Sequence, residues 1–200
     1  LMDIKPWRGV MKRMVFSVLA VLSLAGVAGL SAQEGLRIGI GGGAQLPTGD
    51  YGKADKMGWL IGGDVTYWLT GAPVGIRADV QYAQTSHKDQ GGVAIDGNSK
   101  VIGGLAEVVY AFGTSAEQLR PYVLGGVGYY NVKVKATVPG VGTFDGSESK
   151  VGFGGGAGVA FKVGTGSTRF FIEGKFVSVS TSGSSTTFFP LRAGLRFGGK

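Results

Sequence analysis

The sequence predicts an all-β fold, an eight-stranded antiparallel up-and-down transmembrane β-barrel. Three observations carry this prediction. Apolar residues alternate with polar residues or glycine along almost the whole chain, the period expected of strands and not of helices. The alternating segments number eight and run to about ten residues each, the length a tilted strand needs to cross a bilayer. Long and short breaks between them alternate, as in a barrel with tight turns at one end and loops at the other. The composition agrees: of 200 residues, 39 are Gly and none is Cys, 44% are hydrophobic and only 16% charged. One domain suffices for this length. Without Cys there is neither a disulfide framework nor a Cys-based zinc site, and His87 is the one imidazole.

The one long apolar run stands at the N-terminus and reads as an export signal. Met11-Lys12-Arg13-Met14 supplies a basic start, Val15 to Leu30 an uncharged apolar stretch, and Leu30-Ser31-Ala32 a small-residue cleavage site. Residues 1–32 are therefore expected to be a signal peptide, with residues 1–10 an upstream extension, and residues 33–200 the barrel domain. Removing 1–32 takes away Lys5, Arg8, Lys12, Arg13 and Asp3. Of 20 basic and 13 acidic residues, 16 and 12 remain, a net of +4 against +7 for the chain. No basic run survives, so the charge gives no reason to expect nucleic acid as a partner.

The first strand, Leu36–Leu46, sets Leu36, Ile38 and Ile40 against Arg37 and Gln45. The second, Trp59–Leu69, and the third, Val74–Gln84, carry Asp64, then Arg77 and Asp79, on their polar faces. In the fourth, Lys100–Phe112, Glu107 opposes Ile102, Ala106, Val108, Tyr110 and Phe112. The fifth is Arg120–Lys135. In the sixth, Lys150–Val163, the face with Val151, Phe153, Ala157, Val159 and Phe161 opposes Gly152, Gly154, Gly156 and Gly158. The seventh, Arg169–Thr181, carries Glu173 and Lys175 and loses its alternation beyond Phe176. The eighth, Phe188–Phe197, sets Phe189, Leu191, Ala193, Leu195 and Phe197 against Arg192, Gly194 and Arg196. None of the breaks has a helical pattern.

A soluble sheet also alternates, but with its apolar face inward. Here the polar face carries isolated charges flanked by glycine, which suits a narrow lumen, whereas charge does not interrupt the middle of an apolar face. The expected lumen network is Arg37, Asp64, Arg77, Asp79, Glu107, Glu173, Lys175, Arg192 and Arg196. The aromatics Trp59, Tyr67, Tyr82, Tyr110, Phe112, Tyr122, Tyr130, Phe161, Phe170, Phe189 and Phe197 lie near strand ends and are expected on the outer face, at the two membrane boundaries. Gly158, on the polar face, is expected to accept Ser far more readily than Val159 or Val108 accepts Arg.

Three runs carry a family resemblance. Arg120-Pro121-Tyr122-Val123-Leu124-Gly125-Gly126-Val127-Gly128-Tyr129 resembles the fifth strand of the bacterial outer-membrane β-barrel family related to OmpA and OmpX. Val151-Gly152-Phe153-Gly154-Gly155-Gly156-Ala157-Gly158 resembles its glycine-rich sixth strand, and Leu191-Arg192-Ala193-Gly194-Leu195-Arg196-Phe197 its closing strand. The resemblance spans roughly residues 33–197. It implies a monomer in the outer membrane, surrounded by lipid and lipopolysaccharide and assembled by the barrel-assembly machinery. It also implies a structural, envelope-integrity or surface-interaction role, with a narrow pore as the alternative and a lipid-modifying enzyme behind both.

Other motifs add little chemistry. Gly152-x-Gly154-x-x-Ala157 fits a dinucleotide fingerprint, but no helix follows it, and no cofactor is expected. Ser86 and His87 are adjacent on a strand and point to opposite faces, so they cannot pair for nucleophilic catalysis. Asp50, Asp55, Asp89, Asp96, Asp145 and Glu148 have no ligand-loop spacing for Ca²⁺. Lys53, Lys56, His87 and Lys88 are candidate contacts for anionic lipopolysaccharide or host glycans.

Overall fold

The computed structural model describes residues 35–89, 96–138, 142–181 and 184–199. The signal-peptide reading of residues 1–32 falls outside them. From Gly35 onward the chain forms eight strands: β1 (Leu36–Thr48), β2 (Gly58–Trp68), β3 (Val74–Ser86), β4 (Asp96–Ala111), β5 (Leu119–Val138), β6 (Gly142–Lys162), β7 (Arg169–Thr181) and β8 (Ser184–Phe197). Each pairs antiparallel with its sequence neighbour. β8 returns to β1, from Ile38↔Phe197 to Thr48↔Thr187, so the barrel is closed. The outer face is apolar, with Ile40, Ile76, Val108, Val127 and Val151 all more than half exposed.

Three expectations about the breaks need correction. The segment after β1 is not all loop: Gly49–Ala54 forms a short helix, α1. Six residues are too few for a periodic signal, and two of them are Gly. The helix is anchored to the barrel by its own Tyr51, which meets the Phe188 ring edge-on at 6.5 Å. Next, most of the segment 136–149 is strand: β5 and β6 stay paired out to Val138↔Gly142. Thr137, Val138, Thr143 and Phe144 favour strand, and the hairpin continues beyond the apolar band that marked the strand ends in the sequence. Finally, β4 and β8 begin about four residues earlier than the alternation suggests.

The lumen differs from the expectation in kind. Tyr122 and Tyr130, expected on the outer face, point inward and are buried. Aliphatic and aromatic residues also line the inside. Toward the loop end, Leu60, Val101, Leu105, Tyr130, Val177, Val179 and Phe188 form one packed cluster. Toward the short-turn end, Val109, Leu124, Tyr122 and Phe171 form a second, with Trp68 against it. Charged residues lie between the two. Inward glycines on β5 and β6 take up the ring volume: a Cβ on Gly152 would stand 3.0 Å from the Tyr130 ring, and one on Gly158 would collide with the Tyr122 ring.

The two faces make distinct predictions. Val108→Arg places a charge on the lipid face at 58% exposure, with an expected loss of about 2–4 kcal/mol near the bilayer midplane. Gly158→Ser should also be destabilising, contrary to the reading from polarity alone. Its Cβ has the Tyr122 ring on one side and the Ile172 carbonyl oxygen at 2.8 Å on the other. Urea refolding titrations in lipid vesicles should show both losses; a Gly158→Ser midpoint equal to wild type would refute the tight packing at Tyr122.

Candidate functional site

The densest polar chemistry is an ion cluster in the lumen, halfway between the two apolar layers. Its residues sit on alternate positions of five strands, so strand parity alone aims them inward. Asp64 comes from β2, Arg77 and Asp79 from β3, Glu107 from β4, Glu173 and Lys175 from β7, and Arg192 and Arg196 from β8. Four carboxylates thus face four cations, with side-chain exposures from 0 to 6%. A buried ion left alone would be very costly, and here each has several partners.

Glu173 is the hub. It accepts from Arg77 Nη1 at 2.7 Å, Arg196 Nη2 at 3.0 Å, Arg192 Nη2 at 3.2 Å and the Tyr122 hydroxyl at 2.9 Å. Asp64 accepts from Arg196 Nε at 3.1 Å and Thr66 Oγ1 at 3.2 Å. Asp79 takes Arg192 Nη2 at 2.5 Å and Lys175 Nζ at 2.8 Å. Glu107 is held least: Lys175 Nζ donates to Oε1 at 3.1 Å, while Oε2 has no hydrogen bond and lies 3.6 Å from Arg77 Nη1.

Two features explain the geometry. Asp64 and Asp79 are direct cross-strand partners, a like-charged pairing that is unfavourable by itself. Arg192 Nη2 reaches both, at 2.5 Å and 3.5 Å, and offsets the repulsion. Between β2 and β8 lies β1, whose inward positions at this level are Gly39, Gly41 and Gly43. Gly39 pairs with both Asp64 and Arg196, and a Cβ there would collide with the Asp64 carboxylate. Glycine on β1 is what lets a β2 acid and a β8 base meet across it. The aromatic layer adds to this, with the Arg196 guanidinium 3.9 Å from the Phe171 ring centroid.

Of the nine residues expected in this network, eight come together. Arg37 does not: it faces the lumen at the short-turn end and makes no ion pair with the cluster. A count of residues per face cannot reveal this, because position along the strand decides it. Residues outside the expected set also matter, namely Tyr122, Phe171, Arg120 and Arg169. Arg169 and Phe171 share parity with Glu173 and Lys175 on β7, and Tyr122 shares it with Arg120 on β5.

A second polar group braces the loop end. The His87 ring nitrogen Nδ1 lies 2.5 Å from Asp55 Oδ1, and Nε2 lies 3.1 Å from the Lys135 carbonyl oxygen. A ring protonated on both nitrogens serves both acceptors and a neutral ring one. Thr85 Oγ1 donates to the other Asp55 oxygen and is 2.8 Å from the Tyr51 hydroxyl. Burial pushes the Tyr51 phenol up to about 12. The acid sits between hydroxyl and imidazole, so Thr85 Oγ1 meets the carboxylate and not the histidine. Lys53 is paired with Asp50 at 2.8 Å, and Lys88 Nζ donates to the Gly52 carbonyl at 2.5 Å. Among the described residues, no group of three or more His, Cys, Asp or Glu is placed to hold a metal ion.

A closed barrel with an apolar band around its outer face and a buried ion cluster inside defines a membrane protein that crosses the bilayer with strands. Residues 17–197 match the family model of the outer membrane protein beta-barrel domain, and the chain belongs to that family, as a bacterial outer-membrane barrel. No curated protein matches it. Among solved structures it is similar to Neisserial surface protein A, with a TM-score of 0.57, 16% identity, and coverage of 82% of this chain and 96% of that one. A major outer membrane protein from Thermus thermophilus gives 0.56 and 15%, covering 81% and 98%. Ail, the attachment invasion locus protein of Yersinia pestis, gives 0.51 and 25%, covering 82% and 100%.

The ranking of ion contacts leads to a stability prediction. Glu173→Gln should cost roughly 3–5 kcal/mol, because it strands cations that share one acceptor. Glu107→Gln should cost less, about 1–3 kcal/mol, since Lys175 keeps Asp79. Urea titrations of both variants give the order; equal losses would contradict Glu173 as the hub.

Proposed function

We propose that this chain is a monomeric structural and surface-interaction barrel of the outer membrane, with a lumen that does not conduct and no enzymatic activity. The observation that carries the reading is the filled lumen. An apolar layer, an ion cluster and a second apolar layer follow one another along the axis, and the charges are spent on each other. A narrow pore would need a hydrated path past Glu173 and Arg192, both at most 3% exposed. Against an enzyme stands the buttress at His87, whose ring is held between Asp55 and the Lys135 carbonyl. What is left to interact is the loop end, where specificity resides in barrels of this kind. The attachment role in the name of the Yersinia pestis protein is of the same class. Export by cleavage after Ala32 and insertion by the barrel-assembly machinery complete the reading.

Steady single-channel conductance distinguishes the two main alternatives. Planar-bilayer recordings of the wild type should show a closed baseline, with openings appearing only when Glu173→Gln loosens the cluster. Regular wild-type openings of constant amplitude would favour the pore.

Lipopolysaccharide contact falls to a lysine group other than the one suggested by the loops. Lys100 and Lys133 are direct cross-strand partners, and Lys135 follows two residues on; all three are exposed on the outward parity of β4 and β5. Like charges opposed in this way favour an anion placed over them, such as the phosphates of lipid A. The double variant Lys100→Gln/Lys133→Gln should retain less lipopolysaccharide through detergent extraction than wild type. Undiminished retention would exclude this contact.

A further inference from the structure

The chain's one imidazole sits where three parts of the loop end meet. His87 follows β3 and is bridged to Asp55, on the connection between α1 and β2. That connection is held to the end of β3 by bonds that do not involve the ring. Lys56 N–H donates to the Ser86 carbonyl at 2.7 Å and Lys88 N–H to the Ala54 carbonyl at 2.8 Å, while Lys88 Nζ donates to the Gly52 carbonyl at 2.5 Å. The tie to the β5–β6 hairpin does involve the ring: Nδ1 lies 2.5 Å from Asp55 Oδ1, and Nε2 lies 3.1 Å from the Lys135 carbonyl oxygen.

Both neighbours of the ring are acceptors. Asp55 is 2% exposed, and its other oxygen already accepts from Thr85 Oγ1. Among the described residues, its ion pair is with His87. Two acceptors need two ring N–H groups, and only the imidazolium has two. A neutral ring has one proton, and the stronger place for it is Nδ1, against the carboxylate. Nε2 then turns a lone pair toward the Lys135 oxygen, and that contact becomes repulsive.

The other charged groups around the ring are accounted for. Asp50 and Lys53 pair with each other at 2.8 Å, and Lys56, Lys88, Asp89 and Lys135 are exposed. On β4, Asp96 precedes Gly97, whose carbonyl accepts the His87 N–H at 3.2 Å. Burial holds the Tyr51 phenol up at about 12. Lysines and solvated carboxylates change charge outside the range of an imidazole, about pH 5 to 8.

We propose that His87 is a protonation latch for the surface end of the barrel. Charged, it fastens the β5–β6 hairpin to the α1 connection. On losing one proton it keeps Asp55 and lets the hairpin go, while α1 stays fixed to β3. The fastening is therefore complete in acid and is lost as pH rises.

The chain has no cysteine, so the pair Lys56→Cys and Ser147→Cys carries two spin labels at exposed positions, one on each side of the latch. Distances between them are measured by double electron–electron resonance on the full barrel in lipid nanodiscs, at about pH 5.5 and 8.5, either side of the imidazole range. The distribution should be narrow in acid and broaden at the higher pH. In the same labelled background, His87→Gln should abolish the pH dependence. Asp55→Asn separates a latch from a mere structural contact. An amide can donate to Nδ1, which leaves the proton of a neutral ring on Nε2 for Lys135, so the distribution should stay narrow at both pH values. A wild-type distribution that does not change with pH would overturn the proposal. So would a pH dependence that survives in His87→Gln, or a broad distribution for Asp55→Asn at the higher pH.

Discussion

Everything in this molecule depends on the pairing of β8 with β1. In hydrocarbon no water is available to a strand edge, so each amide and carbonyl must find a partner within the protein. The eleven-residue register from Ile38↔Phe197 to Thr48↔Thr187 supplies those partners and abolishes the edge. Closure also fixes the circumference, and with it the distance across which lumen side chains must reach. The glycines of β1 belong to the same solution. They leave the inner wall bare where a Cβ on β1 would otherwise stand between Asp64 and Arg196.

The lumen filling follows from that small radius. Eight strands leave an interior that side chains can occupy completely. Long cationic side chains span it, aromatic rings cap it above and below, and glycines on β5 and β6 accommodate the rings. The apolar layers do more than fill space. By keeping water from the ion cluster they strengthen each contact within it, and they also raise the cost of any ion that loses its partner.

Strand order, closure and the inward placement of every cluster residue were legible in the alternation of the sequence. The same alternation, followed strictly, would have placed Tyr122 inward with Arg120, and Tyr130 inward with Gly126 and Gly128. Their apolar rings suggested the membrane boundary instead, because hydrophobic character was read ahead of parity. Parity also has no axial coordinate. Arg37 shares a face with Asp64's partners yet lies too near the short turns to reach them, and Arg120 and Arg169 join it there. Strand stagger decides such meetings, and stagger is a property of the closed barrel. The Asp55–His87 brace lies still further from local reading, since it joins a loop, the end of β3 and the backbone of β5.

The distribution of charge along the chain has a consequence for the order of assembly. Three of the four lumen acids, Asp64, Asp79 and Glu107, come from β2 to β4, while three of the four cluster cations, Lys175, Arg192 and Arg196, come from β7 and β8. A nascent sheet built from the first half alone exposes an acidic concave face with Arg77 as its one cluster counterion. The second half brings the neutralising charge only when the last two strands arrive. Neutralisation and edge closure therefore coincide in a single late event across the greatest sequence separation in the domain. That makes zipping up strand by strand a poor description of folding and a concerted final step a good one.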